Sequence, residues 1–379
     1  MKILLVGEFN RSHKFLKEGL ESLNHTALVV GLQDGFKKVD TDIVINHYFE
    51  SKFLKKARLL FFKLFGVDLH AISISKQIKN KKKELSNFDI VQFINEAPFL
   101  CTAKIEQEIF DLLNQWNRKS FLLSTGCDYP SVLFAYQKQF RYSILTPYFE
   151  NKVTKKQFKY IFKYLSPEFL ALHYHIYKNI KGVISCDLDY SIPLNDHPKH
   201  LGLIPHPINT DKIKFSKLDM DNKFVIFHGI NQQNYFKKGN DIFEKALSIL
   251  EKKHADKIEI ITVKNMPYND YIAAFDKAHI VLDQVYSYDQ GYNALEAMAK
   301  GKVVFTGAEQ EWLDVYELDE DTVAINALPN PNSIANKLEW LILNPDKIEN
   351  ISKNARIFVE KEHHYINCAK RFLELWETN

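Results

Sequence analysis

The sequence predicts an α/β protein made of two doubly wound, Rossmann-like domains that face each other across a cleft. Short apolar runs alternate with longer segments of helical periodicity along almost the whole chain. This alternation is typical of parallel sheets built from right-handed crossovers. It breaks at 204–209, where two prolines in three residues stop a helix and stiffen an exposed connection. A length of 379 residues also favours two hydrophobic cores over one.

Eleven apolar runs, six before the break and five after it, are predicted to be buried strands. The six lie at 2–7, 27–31, 42–46, 89–94, 120–125 and 182–186, and the five at 223–228, 257–263, 279–283, 302–306 and 322–325. The last helical stretch, roughly 348–376, is long enough to cross back onto the first domain. We therefore expect an N-terminal domain at 1–205, a C-terminal domain at 206–359, and a final helix, about 360–379, packed on the N-terminal domain.

Composition excludes several classes of protein. With 46% hydrophobic and 26% charged residues the chain is globular, and a net charge of +3 is too small to indicate a nucleic-acid partner. The four cysteines include no CxxC pair, which favours reduced thiols in a cytoplasmic protein over disulfides or a zinc site. The apolar run at the N-terminus is too short for a signal peptide, and no uncharged run of 18 residues predicts a membrane span.

The most informative stretch, 291–304, reads as a glycine turn, a short helix of small residues, a second glycine and a strand. Gly291 allows a ligand to approach the backbone closely, and the N–H groups at the start of the helix favour an anion. Glu296 lies one turn after Tyr292 on the same helix face. A carboxylate beside an anion site fits hydroxyl donors such as those of a ribose or hexose. The stretch therefore indicates a nucleotide-sugar site.

The sequence Glu-Ala-Met-Ala-Lys-Gly-Lys-Val-Val at 296–304 resembles the donor-site signature of glycosyltransferase family 4, a retaining group with the two-domain GT-B fold. Weaker matches follow in the same order as in that family. The segment 204–209 resembles its interdomain linker, and Gly229 with Lys238-Gly239 resembles its diphosphate loop. Segments 125–128 and 89–92 resemble its His-Gly-Ser-Asp turn and its Asp-Ile-Val-His strand. Three positions depart from the pattern: Tyr288 replaces a glutamate, the loop arginine is missing after Gly229, and Thr125 replaces a histidine.

The resemblance implies a cytoplasmic, metal-independent transferase that moves a hexosyl group from a UDP- or GDP-linked sugar to a hydroxyl, with retention. The expected acceptor is a glycan or a lipid-linked glycan, as in the assembly of surface polysaccharides. No cofactor is expected besides the donor substrate. Two alternatives remain open. One is a GT-B enzyme of another class, such as a nucleotide-sugar epimerase or a phosphorylase, and the other is a non-catalytic partner that keeps the fold.

Lys238 and Glu296 are the predicted catalytic residues. An ammonium group near the departing diphosphate stabilises its growing charge without a metal, and Lys238 directly precedes a helix start. It is otherwise one surface lysine among many, with Lys237 as the nearest substitute. The resemblance implies that Glu296 binds the ribose hydroxyls. The alternative is an acidic residue that complements the helix dipole.

Further donor-binding residues are predicted around this helix and at strand ends. A nucleotide base is expected against Met266, and Tyr288, Asp289 and Gln290 are candidates for the sugar hydroxyls. Ordinary loop and turn chemistry is the alternative at both places. The complete predicted donor set is Gly229, Asn231, Lys237, Asn265, Met266, Tyr288, Asp289, Gln290, Gly291, Tyr292 and Asn293.

The acceptor side is predicted from polar residues at the carboxyl ends of the N-terminal strands, where ligands bind in open α/β sheets. The linker histidine is expected to face the same cleft. The predicted set is Glu8, Arg11, Asn95, Glu96, Thr125, Asp128 and His206. No metal site is predicted, because the three DxD triplets at 187–189, 219–221 and 319–321 lie among turn signals and are interpreted as structural.

A basic stretch at 51–83 carries ten basic residues against one acidic residue, Asp68. Apolar side chains interleave with the basic ones at helical spacing. One interpretation is a helix with a solvated charged face. The other is an interfacial helix on an anionic membrane, which suits a lipid-linked acceptor and places the protein at the inner face of the cell membrane. A second candidate for such a contact is 152–165.

Overall fold

The computed structural model describes residues 1–32, 41–49, 51–220, 222–264 and 268–379, apart from the side chains of Lys52, Tyr268 and Asn269. It contains two parallel sheets. The first has seven strands in the order β3-β2-β1-β4-β5-β6-β7, and the second has five in the order β12-β11-β10-β8-β9. Every described pairing between named strands is parallel. The prediction of an α/β protein with two doubly wound sheets is confirmed.

The first sheet and its helices occupy the N-terminal half. Its strands are β1 (Lys2–Val6), β2 (Thr26–Gly31), β3 (Ile43–Val44), β4 (Ile90–Phe93), β5 (Lys119–Ser124), β6 (Val183–Ser185) and β7 (His200–Leu203). The helices are α1 (Ser12–Ser22), α2 (Lys52–Phe65), α3 (Leu69–Asn80), α4 (Ala103–Trp116), α5 (Tyr129–Tyr136), α6 (Thr146–Phe149), α7 (Lys159–Phe162), α8 (Pro167–Asn179) and α9 (Leu188–Ser191).

The second sheet follows the proline segment. Its strands are β8 (Phe224–Ile230), β9 (Ile258–Lys264), β10 (Ile280–Leu282), β11 (Val303–Thr306) and β12 (Ile325–Asn326). The helices are α10 (Asn240–His254), α11 (Tyr268–Asp276), α12 (Tyr292–Ala299), α13 (Gln310–Tyr316), α14 (Pro331–Leu343), α15 (Pro345–Glu362) and α16 (Tyr365–Thr378).

The N-terminal sheet buries both of its faces. Along β1 the side chains alternate, so that Leu4 and Val6 join one apolar cluster while Ile3 and Leu5 join another. The second cluster also contains Trp376 of α16, whose indole Nε1 donates to Gln92 Oε1 at 3.0 Å. The last helix therefore packs on the N-terminal sheet and ties the end of the chain to its beginning.

Strand β7 has no counterpart among the predicted strands. It is only four residues long, its side chains are half-buried, and Gly202 adopts a φ of +116°. Such a short edge strand carries no clear apolar alternation. Its position matters because it directs the chain into the proline segment and brings His206 to the carboxyl edge of the sheet.

Candidate functional site between the two sheets

A cavity of about 550 Å³ lies between the two domains. Most of its polar lining comes from segments that follow the carboxyl ends of strands, where open α/β sheets bind ligands. Polar residues of its N-terminal wall include Glu8, Asn95, Thr125, Asp187, Asp189 and His206, and the C-terminal wall includes Asn234, Lys237, Lys238, Gln284, Gly291 and Tyr292. The structure thus brings eight of the predicted site residues to one cavity: Glu8, Asn95, Thr125, His206, Lys237, Lys238, Gly291 and Tyr292.

Lys238 is held on the cavity wall by a carboxylate that sequence reasoning missed. Its Nζ lies 2.7 Å from Asp283 Oδ1, and Asn293 Nδ2 donates to the same oxygen at 3.0 Å. Asp283 is almost completely buried, whereas the Lys238 side chain keeps 30% of its surface exposed. The ammonium group is therefore oriented by a buried carboxylate and remains exposed toward the cavity. Asp283 directly follows β10, and this strand-end position was the available signal.

Helix α10 begins directly after Lys238 because Gly239 adopts a left-handed φ of +72°. A Cβ at this position would lie 2.6 Å from Val285 Cβ, so the site requires glycine. The turn places Lys238 next to the N-terminal end of α10, and Lys237 also lines the cavity. Two ammonium groups and a helix N-terminus together make this wall electropositive.

Helix α12 contacts residues from the N-terminal part of the chain through Tyr292 and Glu296. Tyr292 packs its ring against His206 at a centroid distance of 4.5 Å, and Glu296 Oε1 lies 3.3 Å from Arg11 Nη1. Beside Gly291 the space is open, since a Cβ there would meet only the Gln284 side chain, at 3.9 Å. A ligand can therefore approach the start of α12. Arg11 and Glu296, predicted on opposite sides of the cleft, contact each other, and neither is among the residues that line the cavity.

Tyr288 and Asp289 contact the N-terminal domain, and Tyr288, Asp289 and Gln290 are not among the residues that line the cavity. The Arg141 N–H donates to the Tyr288 hydroxyl at 2.8 Å, and the Arg141 guanidinium stacks 4.7 Å from the Tyr288 ring. Asp289 Oδ2 accepts from the Leu188 N–H at 3.3 Å. Gln290 Nε2 donates to the Gly307 carbonyl at 2.7 Å. The Tyr288 hydroxyl, Asp289 Oδ2 and Gln290 Nε2 are therefore occupied by protein partners, whereas Gln290 Oε1 has no hydrogen-bond partner among the described residues.

Glu8 combines burial with an unsatisfied oxygen. Its Oε2 accepts from the Lys14 N–H at 2.8 Å, whereas Oε1 has no hydrogen-bond partner among the described residues. Burial raises the pKa of this carboxyl to about 7. Glu8 therefore takes up or releases a proton near neutral pH, on the wall predicted to face the acceptor.

Glu96 and Asp128 are buried beneath the cavity and are not part of its lining. Glu96 Oε1 lies 2.5 Å from His173 Nδ1, and Asp128 caps α5 by accepting from the Ser131 N–H at 2.9 Å. Burial raises the pKa of both carboxyls. The Asn95 side chain, which does line the cavity, donates to the Cys127 carbonyl at 3.1 Å. Glu96 and Asp128 are thus placed to support the wall rather than to touch a ligand.

Two further predicted donor residues, Gly229 and Asn231, are not among the residues that line the cavity. Gly229 is part of β8, and a Cβ there would lie 3.0 Å from the Tyr271 ring. Asn231 accepts from the Gln233 N–H at 2.9 Å and so stabilises a local turn. Asn265 and Met266 lie outside the described residues, so the prediction of a base-binding loop remains a prediction.

Asp187 and Asp189 belong to a triplet that the sequence suggested was structural, but the structure places both on the cavity wall. Asp189 also accepts from the Tyr288 N–H at 3.2 Å and therefore links the domains. In the described part of the chain, one group of three residues could hold a metal ion: the side-chain ligand atoms of Cys186, Asp187 and His206 lie within 4.8 Å of one another. As arranged, His206 Nε2 lies 3.3 Å from Asp187 Oδ2, and the Cys186 thiol donates to the Ser124 carbonyl.

Comparisons with known proteins agree with this architecture. Residues 239–374 match the model of a family described as glycosyl transferase-like, a match that covers less than half of the chain. A sucrose-phosphate synthase from Thermosynechococcus elongatus is similar in structure, with a TM-score of 0.64, 14% identity, and coverage of 100% of this chain and 98% of that chain. HepE from Anabaena, solved with UDP and glucose, has a TM-score of 0.58, 12% identity and full coverage of both chains. The fold is GT-B.

TarM is a further GT-B neighbour, with a TM-score of 0.58, 10% identity, and coverage of 99% of this chain and 98% of that chain. A search of curated proteins found no match to the sequence. Identities this low show the shared fold, and the ligands of these neighbours are properties of those proteins. The GT-B fold and the family match in the C-terminal part together support a glycosyltransferase.

Proposed function

We propose that the protein transfers a hexosyl group from a UDP- or GDP-linked sugar to a hydroxyl of a glycan or lipid-linked acceptor. The transfer is proposed to proceed with retention, without a metal ion, and to serve the synthesis of a surface polysaccharide or another glycan at the inner face of the cell membrane. The observation that carries the proposal is the Lys238 ammonium, which is oriented by Asp283 and exposed to an interdomain cavity. HepE was solved with UDP-glucose, which supports a nucleotide-sugar donor for this fold.

The C-terminal wall suits a diphosphate leaving group. As the bond to the sugar breaks, negative charge grows on the diphosphate, and Lys238, Lys237 and the N–H groups of α10 offset that charge. Because Asp283, which accepts a hydrogen bond from Asn293, already orients Lys238, little reorganisation is needed when this charge develops. The bond from Asp283 positions the ammonium without covering it, since 30% of the lysine side chain stays exposed.

The Glu296 carboxylate is proposed to accept hydrogen bonds from the ribose hydroxyls at the start of α12. Its contact with Arg11 connects donor binding to the N-terminal domain. A donor that bridges these two residues would favour the closed arrangement of the domains, and closure excludes water from the reacting sugar. Glu8, Asn95 and Thr125 then present polar groups to the acceptor from the opposite wall.

Calorimetry with UDP, GDP and their sugars tests the donor site. Wild type is expected to bind one of these nucleotides, and Lys238→Ala should weaken binding on the order of tenfold, the loss of one charge-assisted hydrogen bond. Lys245→Ala is the matched control, since Lys245 is exposed on the same helix, α10. Wild-type affinity in Lys238→Ala, or no nucleotide binding by wild type, would contradict the proposal.

One GT-B neighbour supports a second candidate function. A structure described as a UDP-N-acetylglucosamine 2-epimerase from Listeria monocytogenes has a TM-score of 0.54, 11% identity, and coverage of 98% of this chain and 94% of that chain. An epimerase converts its donor without an acceptor. Incubation with donor alone, followed by analysis of the sugar product, separates the two: conversion to an epimer favours the epimerase, and turnover only with an acceptor favours the transferase.

A non-catalytic role is the third candidate, favoured by the position of Tyr288 in the contact between domains. Such a partner protein would bind no nucleotide in the calorimetric screen. In the variants Lys238→Ala and Glu296→Ala, nucleotide binding would then be as undetectable as in wild type.

A further inference from the structure

Helix α2 exposes an unusual amount of apolar surface. The exposed fraction is 80% for Phe53, 65% for Leu64, 64% for Phe65 and 59% for Leu60. Further exposed large apolar side chains between 53 and 72 are Leu54, Leu59, Phe62, Val67 and Ile72. Among the described residues no other helix exposes so many. A contiguous apolar surface of this kind marks a contact with another apolar phase.

The exposed residues of α2 are segregated by face. At roughly 100° per residue, Phe53, Leu54, Leu60, Leu64 and Phe65 fall on one face of the helix. Lys55, Lys56 and Lys63 fall on the other, and no acidic residue occurs between 51 and 67. Leu59 and Phe62 lie outside the apolar face. An apolar face opposite a face that carries the lysines is typical of a helix that lies in the plane of a membrane interface.

We propose that α2 anchors the protein to an anionic membrane, with the face of Phe53, Leu60 and Leu64 in the acyl region and the lysines at the lipid phosphates. The inference rests on the proposed function only in linking this surface to a lipid-linked acceptor. The structure also favours one of the two segments, 51–83 and 152–165, that the sequence offered as membrane contacts. In 152–165 the apolar side chains of Val153, Phe158, Ile161, Phe162 and Tyr164 are buried in the protein core and are unavailable to lipid.

A second copy of the chain fits this surface less well than a membrane. Two copies of α2 packed through their apolar faces would leave the lysines of both helices in solvent, with no acidic residue on either helix to pair with them. In an anionic leaflet the apolar face of α2 would contact the acyl chains while its lysines contact the lipid phosphates. None of the described helices combines the length and the apolar character needed to span a bilayer.

The anchor is connected to the rim of the cavity through specific contacts. Arg58 of α2 forms two hydrogen bonds with Asp68, at 2.9 and 3.0 Å, and Asp68 caps α3 by accepting from the His70 N–H at 3.0 Å. The His70 ring stacks on His47 at 4.8 Å, and His47 lines the cavity. Helix α2 and the N-terminal wall of the cavity therefore belong to one domain and are connected by a continuous series of contacts. This geometry suits an acceptor whose lipid stays in the bilayer while its sugar enters the cavity.

Vesicle flotation with the full chain tests the proposal. Vesicles of phosphatidylcholine alone are compared with vesicles that also contain phosphatidylglycerol, at low and high salt. Wild type is expected on the anionic vesicles at low salt, with much less on neutral ones. The triple variant Lys55→Gln/Lys56→Gln/Lys63→Gln should lower the partition coefficient on the order of 100-fold, about fivefold for each lysine near the surface.

The apolar face is tested with Phe53→Ser/Leu64→Ser, which should abolish the binding that persists at high salt. Ile357→Ser is the matched control, because Ile357 is 61% exposed on α15, away from α2, and this change should leave flotation unaltered. All variants should bind the nucleotide as wild type does. Loss of flotation with intact nucleotide binding would support the membrane anchor. This result does not depend on whether the protein transfers a sugar.

Two results would overturn the anchor. One is equal recovery of wild type with neutral and anionic vesicles. The other is a stable dimer in sedimentation without lipid that Phe53→Ser/Leu64→Ser converts to monomer, since this assigns the surface to a second copy of the chain.

Discussion

The two walls of the cavity carry different ionisable groups and hold them in different ways. The C-terminal wall offers Lys237 and Lys238, and Lys238 is oriented by a buried carboxylate. The N-terminal wall offers Glu8, Asp187 and Asp189, which form no ion pair with a lysine or arginine among the described residues. Burial raises the pKa of Glu8 and of Asp189. The difference supports the placement that we propose for the substrates: the anionic diphosphate at the C-terminal wall, and a hydroxylated, uncharged acceptor at the N-terminal wall.

The largest expected effect comes from removing the positive charge of the C-terminal wall. Lys238→Ala should lower kcat/KM for transfer about 10- to 100-fold, because a charge-assisted hydrogen bond to the departing diphosphate contributes roughly 1.5–3 kcal/mol. Initial rates measured against donor concentration give this ratio. Lys245→Ala should match wild type, and an equal loss in both variants would contradict the role of Lys238.

Removing the carboxylate that orients Lys238 should have a smaller effect. Asp283→Asn keeps the shape of the side chain but loses the ion pair at 2.7 Å, so the ammonium becomes less well positioned. We expect a loss of about tenfold in kcat with little change in KM, since the lysine remains present to bind the donor. A KM that rises while kcat is unchanged would show that Asp283 acts in donor binding rather than in positioning Lys238.

Glu296→Gln tests the contact that joins the walls. Loss of the charge at the 3.3 Å contact with Arg11 should weaken nucleotide binding by about fivefold, because the amide still accepts hydrogen bonds from hydroxyls, only more weakly. Calorimetry with the preferred nucleotide measures the change. An unchanged circular dichroism spectrum would show that the variant keeps its fold, so that a change in nucleotide affinity can be assigned to the lost charge.

The N-terminal wall should make stability depend on pH. The folded-state pKa of Glu8 is about 7, above its ordinary value of 4.5, so folding favours the protonated form. Its contribution to stability is complete below pH 4.5 and is lost as the pH rises through 7. Between pH 5 and 8.5 the Tm of wild type should therefore fall more than that of Glu8→Gln, which stays uncharged. Glu251→Gln, an exposed change on α10, should follow the wild-type curve.

The smallest expected effect is that of metal removal. We propose transfer without a metal ion, so dialysis against a chelator should leave kcat/KM and nucleotide affinity unchanged. A different result would assign a metal to the group formed by Cys186, Asp187 and His206. In that case the chelator would remove activity, zinc would restore it, and Cys186→Ala would prevent the restoration.

Much of the fold could be predicted because its signals are local. Apolar runs mark all strands but β7, and each predicted strand overlaps an observed one. The candidate site was only partly accessible to the same reasoning. Lys238 and Gly291 stand at helix starts that the sequence reveals, and both line the cavity. Asp283 was missed because a carboxylate after a strand is common, and its importance comes only from the lysine it contacts 45 residues away.

By itself, the sequence determined the alternation of strands and helices, the break between the two sheets, and the glycine-bounded helix α12, because these depend on periodicity and on the conformations of glycine and proline. Only the tertiary structure decided that Asp187 and Asp189 line the cavity, that Tyr288 is used by Arg141, and that the apolar face of α2 has no cover within the described chain. The physical reason is that each of these facts is a contact, or a missing contact, between segments far apart in the chain. Such contacts follow from how the two domains pack.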